Sequence, residues 1–101
     1  MRVIVLFDLP MQSAKNLHEY SRFRKALVRD GFIMMQESVY CKLVLSPSAA
    51  TLARDRVHKQ RPPEGLVQLL TITEKQYAGI EYIVGTKQEG QLEDTQRVYL
   101  F

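Results

Sequence analysis

VIVLFDLP, residues 3–10, decides how the rest of the chain must be arranged. In an extended strand Val3, Val5 and Phe7 fall on one side and Ile4 and Leu6 on the other, so both faces are apolar. A strand of that kind belongs in the middle of a sheet, covered on both sides. Pro10 cannot donate to a ladder and ends it, which bounds a first strand at 2–9. Asp8 breaks the pattern, because a carboxylate at the end of a central strand costs free energy unless water, hydrogen-bond donors or a cation compensates it. Two readings follow. The carboxylate accepts N–H groups of the turn that leads into Pro10, as Asp often does. Alternatively it is half of a cation site, since Mg²⁺ takes one or two carboxylates together with waters and phosphates. The chain supplies no second ligand by motif, whereas a two-fold axis would.

Beyond the turn, Ser13 is a suitable N-cap and Asp30-Gly31 a suitable stop, so residues 14–30 are predicted to be a helix. At about 100° per residue, Leu17, Tyr20, Phe23, Leu27 and Val28 share one side and predict the core face. Lys15, His18, Arg22, Lys25 and Arg29 gather on an opposite arc of about 80°. Arg24 projects from the apolar arc and must snorkel, pair with a carboxylate or reach a subunit interface.

Residues 32–45, FIMMQESVYCKLVL, are β-prone over more length than one strand usually has, which predicts a bend or bulge near Gln36-Glu37. A second helix is predicted over 47–59, with Ser46 as N-cap, proline at the first position and Ala49, Leu52, Ala53 and Val57 inward. Its end gathers Arg54, Arg56, His58, Lys59 and Arg61 before Pro62-Pro63. Cations there complement a helix C-terminus by themselves, and they also suit a polyanion. Residues 66–73 are predicted as a strand, TEKQYAGI (73–80) as a turn-like link, and 82–84 as a further short strand. Residues 85–96 read as a polar linker to RVYLF (97–101), a terminal strand that can pair with a neighbouring subunit's edge. The pattern is α+β: a ferredoxin-like β-α-β-β-α-β sandwich with an antiparallel sheet and an extra C-terminal strand, a single domain over 1–101, arranged as a homodimer.

The chain has 101 residues, 46% hydrophobic and 25% charged, which fits one globular core and argues against disorder. No apolar run approaches the roughly 20 residues of a membrane span. The sequence opens directly on a strand without the features of a secretory signal, so a cytoplasmic protein with no membrane association is expected. Cys41, the one cysteine, fits a reducing compartment and packing as a small hydrophobe. Nucleotide-binding glycine loops, zinc spacings and nucleophilic triads are absent from the sequence. Fourteen Lys plus Arg against eleven Asp plus Glu give a net charge of +3, which permits a polyanionic partner. The candidate nucleic-acid contacts are Lys15, Arg22, Lys25, Arg29, Arg54, Lys59 and Arg61.

VLFDLP at the first strand, YSRFRKALVRDGFIMMQESVY (20–40) and LLTITEKQY (69–77) together resemble the small adaptation subunit of CRISPR systems, the second CRISPR-associated core protein family, in its type II-like subgroup. That resemblance implies a homodimer whose sheets face each other, with each last strand pairing with the partner protomer. It implies a role in spacer acquisition for antiviral defence: bridging two dimers of the integrase subunit and supporting foreign duplex DNA. It also implies, as the alternative function, a Mg²⁺-dependent endonuclease cutting RNA or double-stranded DNA. On that reading Asp8 is the metal-binding, catalytic carboxylate of each protomer, and Arg22 and Tyr40 match positions linked to catalysis. The family often carries an arginine two places before the motif glutamine, where this chain has Met34. A ferredoxin-like regulatory or toxin-type domain is a third reading, since the fold hosts many functions.

Overall fold

The computed structural model describes residues 1–86. Its elements run β1 (Arg2–Asp8), α1 (Ala14–Arg29), β2 (Ile33–Gln36), β3 (Val39–Leu43), α2 (Pro47–Lys59), β4 (Leu66–Ile72) and α3 (Glu74–Ala78). The four strands form one sheet in the order β2-β3-β1-β4, and all three pairings are antiparallel. β1 is interior, as its two apolar faces require: Val5 lies opposite Tyr40 on one side and Leu69 on the other. The order and the sheet are those of the ferredoxin-like sandwich.

Alternation along β1 sends Val3, Val5 and Phe7 into a core shared with Phe23 and Leu27 of α1, Ala50, Ala53 and Val57 of α2, and Tyr40 and Val44. Phe7 organises the aromatic part of this core. Its ring meets Phe23 edge-on at 5.2 Å and lies nearly parallel to Tyr40 at 5.8 Å. Both helices therefore cover one face of the sheet. Caps fix their starts as the sequence predicts: Ser13 accepts from the Asn16 N–H, and Ser46 from the Ala49 N–H.

Several expectations are corrected. The β-prone stretch 32–45 is a hairpin of two strands rather than one bent strand. Glu37 and Ser38 form its turn, Ser38 takes a φ of 65°, and the register slips between Met34 and Gln36. The link after β4 is the short helix α3, closed by a capping box in which Thr73 accepts from the Gln76 N–H and Gln76 accepts from the Thr73 N–H. Residues 82–84 are not a strand, and Ile83 and Val84 stand almost fully exposed.

The buried arc of α1 is rotated from the predicted one. It centres on Phe23, Ala26 and Leu27, so Leu17 and Val28, at the edge of the predicted stripe, are 49% and 54% exposed. Leu52 of α2 also faces outward, and Ala50 takes the inward place. Arg24 is half-buried. The expected linker beyond residue 86 and the terminal strand 97–101 lie outside the described residues.

Candidate nucleic-acid and cation site

The sheet face away from the helices carries Arg2, Ile4, Leu6 and Asp8 of β1, and opposed to them Leu66 and Leu70 of β4 and Val39, Cys41 and Leu43 of β3. Ile33, Leu43, Leu66 and Leu70 are large exposed apolar side chains on this face. Asp8 is exposed at its edge, opposite Leu66. Among the described residues its carboxylate makes no hydrogen bond or ion pair, so the turn N–H groups do not compensate it. A hard oxygen donor open to solvent suits Mg²⁺, which completes its shell with water. No group of three or more His, Cys, Asp or Glu among the described residues could hold a metal, so within one chain Asp8 belongs to no such group.

The other two residues assigned to catalysis lie elsewhere. Tyr40 is 2% exposed and points into the core beneath the helices, on the side of β3 opposite to the Asp8 face. Arg22 is spent on structure: its guanidinium donates to Glu19 Oε1 at 2.8 Å, to Gln60 Oε1 at 3.3 Å, and to the carbonyls of Gln60 and Arg61 at 3.1 and 3.4 Å. Those carbonyls close the end of α2, where a cation is favourable. Arg22 thereby pins α1 to α2 in the helical layer and does not contact Asp8. Met34, at the position of the family's arginine, is exposed on the edge strand β2.

The predicted nucleic-acid residues divide by what they touch. Lys15, Lys25 and Lys59 are exposed, and Arg29 is exposed with its Nε 3.6 Å from Asp30. Arg61 is exposed while donating to the His58 carbonyl at 2.8 Å. Arg54 instead ties α2 to β4, donating to Thr71 at 3.2 Å and to Thr51 at 3.2 Å.

Sequence reasoning missed two clusters. Asp30, nearly buried, also receives Arg56 at 3.4 Å, while Lys42 donates to its backbone carbonyl at 2.7 Å. Arg29, Asp30, Leu52, Asp55, Arg56 and Lys59 consequently border one groove between the end of α1 and α2. At the opposite end of β1, Arg2 forms a two-pronged pair with Glu74, lies 4.0 Å from the Tyr77 ring centre and reaches Cys41 at 3.9 Å. The Arg2 hydrogen bonds hold the Glu74 carboxyl below the usual range, and burial pushes the Cys41 thiol up against the opposing pull of Arg2. The signal for this second cluster was present in Thr73-x-x-Gln76, a capping-box spacing.

No helix among the described residues is long and apolar enough to cross a membrane. The family model for CRISPR associated protein Cas2 matches residues 1–80. The CRISPR-associated endoribonuclease Cas2 of Treponema denticola is 50% identical over 98 residues, 97% of each chain. The protein of the same name from Streptococcus mutans is 45% identical over 87 residues, 86% of this chain and 80% of that one. The fold is similar to the crystal structure of Streptococcus pyogenes Cas2 at pH 6.5, with a TM-score of 0.63, 16% identity, and coverage of 83% of this chain and 100% of that one. A family match over residues 1–80, a half-identical relative along nearly the whole chain and the shared fold lead to one conclusion: the chain belongs to the CRISPR-associated Cas2 family.

Proposed function

We propose that two copies of this chain pair through the sheet face that carries Leu43, Leu66 and Leu70, and that the dimer supports duplex DNA during CRISPR spacer acquisition, bridging dimers of the integrase subunit. The observation that carries this reading is the division of the surface. Ile33, Leu43, Leu66 and Leu70 form an exposed apolar set on the sheet face, where a second copy would cover them, while the helical layer mixes single exposed apolar residues, Leu17, Val28 and Leu52, with the exposed cations Lys15, Lys25, Arg29 and Lys59. Exposed apolar patches of that kind mark association surfaces, and cations fixed on helices meet phosphates without reading sequence. Each phosphate neutralised on duplex DNA contributes about 0.9 to the slope of log affinity against log salt. Replacing Lys25, Arg29 and Lys59 together by alanine is expected to lower that slope by two or more for the dimer, on the order of one unit per lost phosphate contact. A slope equal to wild type refutes this placement of the DNA.

A second reading, a Mg²⁺-dependent endonuclease on RNA or double-stranded DNA, is favoured by the open Asp8 carboxylate and by the endoribonuclease name of the relatives. Asp8 of each protomer would hold the ion, whose chemistry when bound is to polarise a phosphate and lower the pKa of a water. The chain's own part is narrow: it presents the carboxylate at the edge of an apolar face and brings neither Arg22 nor Tyr40 beside it. Charge stabilisation of the reacting phosphate would fall to exposed cations or to the metal, which suits weak cleavage. Cleavage assays with Mg²⁺ and with EDTA, on wild type and Asp8→Asn, test it. Loss of cleavage in both changes supports the nuclease, and cleavage indifferent to both refutes it.

A further inference from the structure

We infer that Gly65 is the positioning residue of the Asp8 carboxylate, a role nothing in the sequence motifs assigns to it. The inference rests on the reading of Asp8 as the carboxylate of a cation site. Gly65 sits immediately before β4, whose first residue, Leu66, lies opposite Asp8. Its φ is +104°, a conformation that side chains of L-residues rarely adopt. A methyl group there would stand 2.7 Å from Leu9 Cδ2, 3.0 Å from the Asp8 carbonyl oxygen and 3.2 Å from Leu9 Cα. Two of those three atoms are backbone and cannot swing aside. The backbone of β1 therefore runs past Gly65 so closely that a methyl group would press the Asp8 carbonyl and Leu9 Cα back by a few tenths of an ångström, and the φ of +104° strains any side chain there besides.

The segment that carries Gly65 is itself braced. Pro62 and Pro63 restrict it, and Glu64 accepts from the Asn16 amide at 3.4 Å, tying it to the first turn of α1. A push from position 65 is thus delivered to the end of β1 rather than absorbed by the loop. An octahedral Mg²⁺ or Mn²⁺ site demands ligand placement within a fraction of an ångström, so such a displacement weakens it. Gly31 supplies the control. It shares the backbone requirement, with φ of +94°, but a methyl there would meet only the flexible end of Lys42, and it lies at the end of α1.

The test titrates Mn²⁺ into wild type, Asp8→Asn, Gly65→Ala and Gly31→Ala, reading free Mn²⁺ by electron paramagnetic resonance. Expected are a tenfold or greater loss of affinity in Asp8→Asn and Gly65→Ala, and affinity within twofold of wild type in Gly31→Ala although both glycine variants melt earlier. Equal losses in the two glycine variants, or wild-type affinity in Gly65→Ala, overturn the inference. A nitroxide on Asp8→Cys reports the position without any metal, Cys41 being buried. Its line shape should change with Gly65→Ala and not with Gly31→Ala. Should Asp8→Asn bind Mn²⁺ like wild type, the cation reading fails, and the nitroxide decides Gly65 alone: an unchanged line shape overturns it. If Gly65→Ala does not fold, Leu9→Ala/Gly65→Ala removes the 2.7 Å contact and keeps the one to the Asp8 carbonyl, with the same losses expected.

Discussion

Replacing Arg22 by alanine removes four hydrogen bonds at once and separates the two things a cation on α1 can do. One bond is an i,i+3 ion pair with Glu19 at 2.8 Å, worth about 0.2–0.5 kcal/mol on a helix surface. Three go to the Gln60 side chain and to the carbonyls of Gln60 and Arg61 at 3.1–3.4 Å. A net hydrogen bond contributes about 0.5–1.5 kcal/mol, and a cation at a helix end about 0.3–1 kcal/mol. The side chain is 35% exposed and the bonds are long, so the low end of each range applies and the sum is about 2 kcal/mol. Urea denaturation at fixed protein concentration should show Arg22→Ala with a lower midpoint and an unchanged slope, and heating a melting point lower by roughly 8–16 °C. Arg22→Lys should recover less than half, because an ammonium cannot span acceptors on two helices. Lys25→Ala, one turn on and free of such bonds among the described residues, should stay within about 0.5 kcal/mol of wild type while weakening DNA binding. Arg22→Ala with wild-type stability and the DNA defect of Lys25→Ala would refute the assignment of Arg22 to the helix junction.

Tyr40→Ala opens a cavity beside Phe7 and should cost about 3–5 kcal/mol, whereas Tyr40→Phe should stay within about 1 kcal/mol, both read by denaturant midpoint. Activity lost in the first and kept in the second then reports folding and no catalytic hydroxyl. Glu74 is held below its ordinary value by Arg2, so its contribution is complete above the unfolded carboxylate value and fades as pH falls through the depressed folded one. Below about pH 4.5, wild type should therefore lose stability more steeply than Glu74→Gln. Equal acid limbs in the two would remove the Arg2–Glu74 pair from the account.

What was legible in the sequence is what backbone periodicity and capping determine. The doubly apolar VIVLF run located the central strand, and Ser13, Ser46 and Pro47 fixed the helix starts. What failed depended on tertiary packing. Periodicity alone could not choose between arcs of α1 that differ by less than one residue's rotation, and the structure buries the arc with Ala26 rather than the one with Leu17 and Val28. The hairpin in 32–45 hides because Ser38 occupies a left-handed turn position that usually announces itself with Gly or Asn. Asp8 stood out because it violates its strand's own pattern. Arg22 looked like one more exposed cation because its partners, Gln60 and Arg61, lie 38 and 39 residues away in sequence. Gly65 carries no motif, and only the approach of the Asp8-Leu9 backbone reveals it.

Reconstituted spacer integration, with the integrase subunit, a duplex DNA substrate and a repeat-bearing target, separates a DNA-supporting role of this chain from a catalytic one. Integration is expected to require this chain, to persist with Asp8→Asn, and to fall sharply when Lys25, Arg29 and Lys59 are replaced together by alanine. Integration that proceeds without the chain, or at full rate with the triple variant, would contradict the DNA-supporting role.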